Sequence, residues 1–262
     1  MDFDFKAGSI ALLVSMPHVG TDIPDDIAAR FSPDALARPD TDWHLAQLYG
    51  FLTEMGASTL AARWSRYVID LNRPPEDSNL YPGMDTTGLC PVDTFGNAAL
   101  YRDGQAPDEH DVRGRLVRYW QPYHRQLRCE IDRLLALHGR VVLWDAHSIA
   151  SVVPRFFEGR LPDLNFGSAQ GTSCAPGLEQ AVVGVAQAQD RFSVAVNGRF
   201  KGGYITRHYG QPDANVHAIQ LEMCQDLYMD ELAPFAYRAQ VAAEVQPLLR
   251  QLTEAALDWV RS

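Results

Sequence analysis

Several features that would assign this chain to a specialised class of protein are missing from its 262 residues. No apolar stretch approaches the roughly 18 residues that a membrane-spanning helix requires. The first residues lack the small-residue cleavage pattern of a secretory signal, and no internal repeat or low-complexity tract occurs. Because 46 % of the residues are hydrophobic, the chain can bury a full core, and we expect residues 1–262 to form a single, soluble domain.

Cysteine is scarce and scattered. The four cysteines form no Cys-x-x-Cys pair, so a zinc ribbon is not indicated. A dense disulfide framework of the kind found in small secreted domains is not indicated either. We therefore expect a reducing, cytoplasmic location. The Gly-x-Ser-x-Gly turn of many serine hydrolases is also missing, which disfavours that class of enzyme.

Positive charge is in short supply as well. Lysine occurs only at Lys6 and Lys201, and the formal net charge is −10. A field of this sign repels polyanions, so we expect neither nucleic acid nor an anionic membrane as a partner. A small ligand is the expected partner, and the sequence identifies no protein partner. If the ligand is an anion, arginines in a cleft must reverse the local potential.

Helices alternate with short buried strands along the chain. The apolar run Ser9–Met16 predicts a strand, and residues 40–55 predict a helix that begins with the capping residues Asp40, Thr41 and Asp42. This alternation predicts an α/β protein with a mixed, largely parallel central sheet flanked by helices. The other predicted elements are strands at 59–62, 67–71, 141–144, 192–196 and 217–223, and helices over 108–137, 177–188 and from Pro234 onward, interrupted at Pro247.

Polar clusters follow three of the predicted strands, at His18, at residues 70–73 and at residues 145–147. In open α/β sheets, ligands bind at the carboxyl ends of the strands. We therefore predict that His18 and His147 bind one metal ion. Asp145, two positions before His147, could orient a neighbouring ligand, as carboxylates often do for zinc-bound imidazoles.

A catalytic zinc ion typically has two histidines and one carboxylate as ligands, with a fourth position left for water. Asp42 lies at the start of a predicted helix, where it would point back toward the strand ends, and Asp22 lies four residues after His18. We prefer Asp42, because an aspartate followed by Ile23-Pro24 fits ordinary turn formation. The choice between the two stays open.

Six short motifs occur in an order that resembles the N-formylglutamate amidohydrolase family. Each motif is weak alone, but the ordered set covers residues 10 to 232 and is specific. The motifs are Met16–Gly20, Thr41–His44, Asp70–Pro74, Asp145–Ser148, Gly203–Gly210 and Ala218–Glu222.

The resemblance implies a zinc-dependent amidohydrolase that converts N-formyl-L-glutamate to formate and L-glutamate in histidine degradation. It also implies a fold similar to the zinc carboxypeptidase and aspartoacylase group, with His18 and His147 as zinc ligands and Glu222 as general base. Asn72 and Arg73 would form a substrate clamp. One position departs from the carboxypeptidase pattern: Thr21 stands three residues after His18, where that pattern has an acidic ligand.

A glutamate derivative has two carboxylates, and guanidinium groups bind carboxylates through paired hydrogen bonds. Arg73 and Arg207 are the first candidates for this role, and Arg155 is a third. Two alternatives share most of these features, namely a metallohydrolase of another N-acyl amino acid, aspartoacylase-like or carboxypeptidase-like, and a non-catalytic small-anion binding protein. Glu222 argues against the second, since a pure binder has no use for a general base beside the metal.

Overall fold

A seven-stranded sheet is the centre of the computed structural model, which describes residues 2–262. The strands are β1 (Phe3–Lys6), β2 (Leu12–Met16), β3 (Ser58–Ala62), β4 (Val141–Ile149), β5 (Leu164–Gly167), β6 (Val194–Val196) and β7 (Val216–Cys224). Their spatial order is β1-β3-β2-β4-β7-β5-β6. The strands β3, β2, β4 and β7 are parallel, whereas β1 and the β5-β6 pair run in the opposite direction. The predicted α/β class with a mixed, largely parallel sheet is therefore confirmed.

Helices flank both faces of this sheet. They are α1 (Asp25–Ala28), α2 (Pro33–Leu36), α3 (Leu45–Leu48), α4 (Leu52–Met55), α5 (Glu109–Arg115), α6 (Gln121–His138), α7 (Pro176–Gln187), α8 (Tyr204–Tyr209) and α9 (Ala239–Arg261). A π-helical turn, Leu116–Trp120, joins α5 to α6, so the predicted long helix is one continuous helical segment. Gly139 ends it in the left-handed conformation, with φ 73°.

Two apolar layers enclose the central strands. Every residue of β2, β4 and β7 is buried, as expected for parallel strands covered on both faces. Trp144 of β4 packs in the layer that contains α7 and α9, while Leu143 packs in the opposite layer with Leu127 and Ile131 of α6. The sheet is thus held rigidly from both sides, and so are the side chains at its strand ends.

The single helix predicted over residues 40–55 is wrong. Two short helices, α3 and α4, occupy its second half, and the residue before α3 is His44, which has φ 58°. A long-range contact accounts for the break, because His44 Nε2 lies 2.7 Å from the carbonyl oxygen of Phe235. Asp42 therefore caps no helix. Its backbone N–H instead donates to the His18 carbonyl at 3.0 Å.

The strand predicted over residues 67–71 is also wrong. The segment is buried but forms turns, in which Val68 N–H donates to the Ser65 carbonyl, while Asp70 N–H donates to the Leu89 carbonyl of a distant segment. An apolar run indicates burial and does not distinguish a strand from a packed turn. On either side of β2 the pairing edges are already taken by β3 and β4, so this segment packs in the α6 layer instead.

The C-terminal helix begins later and is less interrupted than predicted. It starts at Ala239, and Pro247 lies inside it without ending it. A helical proline removes one backbone hydrogen bond, and here the buried apolar face of α9 compensates for that loss. Within residues 2–262, no helix combines the length and the apolar character needed to cross a bilayer.

Substitutions at two glycines test how the helical segment that precedes Gly139 ends. Gly139 and Gly114 both have open space where a Cβ atom would stand, but only Gly139 has a positive φ. Gly139→Ala should therefore lower the free energy of unfolding by about 1 kcal/mol, while Gly114→Ala, inside α5, should raise it by up to about 1 kcal/mol. Denaturant unfolding of both variants measures the difference. Equal changes in the two variants would contradict the left-handed end at Gly139.

Candidate active site

Three separate segments bring His18, Asp42 and His147 together. His18 follows β2, His147 lies within the neighbouring strand β4, and Asp42 lies between α2 and α3. One ligand atom from each residue lies within 4.8 Å of the other two, and all three residues are buried. The strand β4 is longer than predicted, so His147 and Asp145 belong to the strand itself and do not follow it.

The carboxylate of Asp42 provides the clearest sign that this group could hold a cation. Both of its oxygens are buried, and neither receives a hydrogen bond from the part of the chain described, residues 2–262. The Nδ1 atoms of His18 and His147 lie 4.0 and 3.4 Å from Asp42 Oδ2. A buried carboxylate without donors is costly unless a charge compensates it. Two imidazole nitrogens and a carboxylate oxygen are suitable ligands for a divalent metal ion.

The far nitrogen of each imidazole contacts another carboxylate. His18 Nε2 lies 2.7 Å from Asp70 Oδ1, and His147 Nε2 lies 3.1 Å from Asp145 Oδ2. When His18 Nε2 carries the proton and donates to Asp70, its Nδ1 presents a lone pair toward Asp42, whereas His147 Nε2 is hydrogen-bonded at 2.9 Å to Asn72 Nδ2. Both imidazoles turn Nδ1 toward Asp42.

Charges around the imidazoles shift their pKa values in opposite directions. Burial, reinforced by the charge of Arg66, lowers the pKa of His18 despite its bond to Asp70. Burial alone would also lower the pKa of His147, but Asp145 and Asp42 outweigh it and hold that pKa well above its ordinary value. Because a metal ion binds the neutral imidazole, metal binding at His147 should release a proton.

Asn72 fixes the carboxylate behind His147. Its Nδ2 donates to Asp145 Oδ2 at 3.2 Å, and its Oδ1 accepts from the backbone N–H of Ile205 at 2.8 Å. A Cβ atom on Gly203 would come within 2.4 Å of Asn72 Nδ2. The helix α8, which is not among the elements predicted from the sequence, therefore packs directly on Asn72, and a glycine allows this close approach.

Glu222 lies across from His147, because the two residues are paired in the register of β7 and β4. Its side chain lines the same cleft as both imidazoles. Burial raises the pKa of Glu222 to about 8, Asp42 and Asp145 act in the same direction, and His147 opposes them. A carboxyl group with such a pKa can both accept and donate a proton near neutral pH.

A cleft opens beside this group. Asn72 and Arg73, which were predicted from the sequence to bind substrate, both line the cleft. Arg66 and Arg199 line it too and were missed. Arg66 lies four residues before Asp70 and donates to its Oδ2 at 2.7 Å, a spacing that could have indicated the pair. No local pattern distinguishes Arg199 from other arginines.

Arg155 and Arg207 do not line the cleft. The guanidinium of Arg155 is occupied, since Nε and one terminal nitrogen bind the Asp85 carboxylate and the other binds Asp93. Arg207 Nε donates to the Gly202 carbonyl at 2.8 Å. Arg155 and Arg207, both predicted to bind substrate, are therefore held by hydrogen bonds to other groups of the protein outside the lining of the cleft.

Asp22, the alternative carboxylate ligand, lies outside the metal-binding group. Its Oδ2 accepts a hydrogen bond from Arg63 Nε at 2.7 Å, and its side chain is 46 % exposed. The geometry thus favours Asp42 over Asp22 as the third metal-binding residue beside His18 and His147.

Comparison with known proteins gives a consistent result. The model of a family described as N-formylglutamate amidohydrolase matches residues 10–229. An N-formylglutamate deformylase from Pseudomonas aeruginosa is 51 % identical over 98 % of this chain and 96 % of its own, and one from Pseudomonas putida is 47 % identical over 97 % and 95 %. The crystal structure of N-formylglutamate amidohydrolase from Ralstonia eutropha JMP134 has a TM-score of 0.82 at 26 % identity, covering 98 % of this chain and 96 % of that one.

Replacing the two candidate aspartates should have different effects on metal content. Asp42→Ala removes the only buried carboxylate that lacks hydrogen-bond donors in the His18–Asp42–His147 group, so the purified variant should contain little bound divalent metal. Asp22→Ala is the matched control and should keep near-normal metal content. Elemental analysis after exhaustive dialysis measures both. The reverse pattern would move the third ligand to Asp22.

Proposed function

The chain belongs to the N-formylglutamate amidohydrolase family, and from this premise we propose that it hydrolyses N-formyl-L-glutamate to formate and L-glutamate. The observation that carries the proposal is the buried His18–Asp42–His147 group at the wall of a cleft that also contains a buried carboxyl group and several arginines. A metal-binding group, a proton carrier and cations for an acidic substrate are the three components that this hydrolysis requires.

We assign His18, Asp42 and His147 as ligands of one zinc ion. Two imidazole nitrogens and one carboxylate match the ligand set of catalytic zinc, which keeps a further position for water or substrate. When bound, zinc polarises a carbonyl group and lowers the pKa of its water toward ~7. Asp70 and Asn72 contact the far nitrogens of the two imidazoles and hold the rings with Nδ1 toward Asp42.

Glu222 is the proposed general base. During hydrolysis a C–O bond forms between water and the formyl carbon, and the C–N bond of the amide breaks. Glu222 would take a proton from the attacking water and deliver it to the amine nitrogen of the departing glutamate. Its buried position opposite His147 and its raised pKa support this role.

Arg73 is the proposed ligand of the substrate carboxylate nearest the formamide. It follows Asn72, whose Nδ2 lies 2.9 Å from His147 Nε2, so the pair stands close to the candidate metal centre. Arg73 Nε donates to the backbone carbonyl of Thr87 at 2.8 Å, and within residues 2–262 no carboxylate pairs with this guanidinium. Asn72 contributes to the clamp by fixing the cleft wall beside Arg73.

The setting of the reaction is also part of the proposal. We place the enzyme in the cytoplasm, where a reducing environment suits four cysteines that are all free. The family resemblance supports a role in histidine degradation. Arg207 and Arg155 are proposed to shape the wall of the cleft, since both are held by neighbouring groups.

Formate release tests the proposed function directly. The purified protein, loaded with zinc, should release one formate for each L-glutamate formed from N-formyl-L-glutamate. Treatment with a chelator should abolish the activity, and added zinc should restore it, because the zinc ion is the proposed activator of the water. A coupled formate dehydrogenase assay measures the product. Full activity in the rigorously metal-free protein would contradict the zinc assignment.

Glu222→Gln separates a general base from a metal ligand. Glutamine keeps the size and hydrogen-bonding reach of glutamate but cannot accept the proton, so turnover should fall at least ~10²-fold. Metal content and substrate affinity should remain close to those of the unmodified enzyme. Steady-state kinetics and elemental analysis provide the two measurements. Loss of metal would make Glu222 a ligand, and turnover within a few-fold of the unmodified enzyme would assign the proton transfer to another group.

A further inference from the structure

We infer that Arg199 binds the side-chain carboxylate of the substrate and thereby restricts the enzyme to N-formyl amino acids with an acidic side chain. This inference rests on the proposed function and adds to it the residue that determines substrate specificity. Arg199 lines the same cleft as His18, His147 and Glu222.

The hydrogen-bond partners of Arg199 leave its charge uncompensated. Its Nε donates to the Phe156 carbonyl at 2.8 Å, and one terminal nitrogen donates to the Asp85 carbonyl at 3.1 Å. Both acceptors are neutral backbone groups, and no carboxylate within residues 2–262 forms an ion pair with this guanidinium. The side chain is nevertheless partly buried, and burial lowers its pKa. A partly buried cation of this kind gains most from an anionic ligand.

Asp85, an acidic neighbour of Arg199, is already engaged. The carboxylate of Asp85 receives two hydrogen bonds from Arg155, at 2.8 and 3.0 Å, and Arg155 lowers the pKa of that carboxyl group. Only the backbone carbonyl of Asp85 is therefore offered to Arg199. The pairing of Arg155 with Asp85 keeps Arg199 available for an incoming carboxylate.

Aromatic rings fix the plane of the Arg199 guanidinium. Its central carbon lies 5.5 Å from the ring centre of Tyr81, 5.2 Å from that of Phe156 and 5.5 Å from that of Phe200. These rings restrict the rotamers of a long side chain and exclude water from one side of it. The guanidinium is thus preorganised for paired hydrogen bonds with a planar carboxylate.

The position of Arg199 selects the more distant of the two substrate carboxylates. The formyl carbon must lie near the ligand atoms of His18 and His147, whereas the hydrogen bonds of Arg199 go to Phe156 and Asp85 in the outer wall of the cleft. Arg73 adjoins Asn72 beside His147, which places it near the α-carboxylate, on the carbon that bears the formamide nitrogen. The side-chain carboxylate of glutamate lies two methylene groups further away and remains for Arg199.

A pair of nearly isosteric substrates tests this assignment. N-formyl-L-glutamine replaces the side-chain carboxylate by a neutral amide, whose N–H groups cannot pair with a guanidinium. The measured quantity is the ratio of kcat/KM for N-formyl-L-glutamate to kcat/KM for N-formyl-L-glutamine. This ratio does not depend on the fraction of folded enzyme, so a partly unfolded variant can still be interpreted.

In Arg199→Met the ratio should fall at least ~10-fold, because kcat/KM for the glutamate derivative drops while that for the glutamine derivative changes by less than about 3-fold. Arg199→Lys should give an intermediate ratio, since it keeps the charge but loses the planar pair of donors. Arg250→Met is the matched control: Arg250 also lies over an aromatic ring, that of Phe51, but is paired with Glu54 on the surface. Its ratio should equal that of the unmodified enzyme.

An unchanged ratio in both Arg199 variants, or equal losses on both substrates, would overturn the assignment. Calorimetric binding of L-glutamate and L-glutamine to the zinc-loaded protein provides a second measurement that needs no turnover. If the unmodified enzyme releases no formate, the proposed function fails. Preferential binding of L-glutamate that is lost in Arg199→Met would still support the role of Arg199, and preference that survives the substitution would contradict it.

Discussion

The buried carboxylate of Asp42 is the constraint on which the rest of the site depends. Neither of its oxygens receives a hydrogen bond within residues 2–262, although the surrounding protein removes both from water. Such a group is unfavourable unless a cation compensates it, and imidazole nitrogens of His147 and His18 lie 3.4 and 4.0 Å from one of its oxygens. The segment that carries Asp42 is held in place by its backbone bond to the His18 carbonyl. The fold therefore brings together the donors of a cation-binding centre, and a bound cation would stabilise the fold.

The two imidazoles reach this centre through similar arrangements. Asp70 holds His18 from behind and is itself paired with Arg66, whose charge helps to keep the pKa of Asp70 well below its ordinary value against the opposing effect of burial. Asp145 lies 3.1 Å from His147 Nε2 and accepts a hydrogen bond from the amide of Asn72. The donor to Asp145 is thus a neutral amide, whereas the donor to Asp70 is the guanidinium of Arg66. This difference is consistent with the opposite pKa shifts of the two histidines.

The strands that position the site could be predicted from the sequence, and the connections between them could not. Continuous apolar runs identified β2 and β4, and an alternating pattern identified β7, and hence the approximate places of His18, His147 and Glu222. Asp42 was selected for a wrong local reason, as a helix cap, whereas its position depends on a backbone bond to His18 and on the break at His44. Arg199 could not be anticipated at all. Its importance comes from which neighbouring charges are already paired, and that is a property of the three-dimensional structure alone.

The distribution of paired and unpaired arginines explains how a protein of net charge −10 can attract an acidic substrate. Arg155 is chemically as suitable a carboxylate ligand as Arg199, but the carboxylates of Asp85 and Asp93 already satisfy it. Arg66 is likewise paired with Asp70. An arginine that faces a cleft attracts an anion only to the extent that the protein's own carboxylates leave its charge uncompensated. The local potential of the cleft is therefore set less by the number of arginines around it than by the partners of each one. The acidic residues that pair with Arg155 help the cleft to accept a carboxylate, because they are kept away from Arg199.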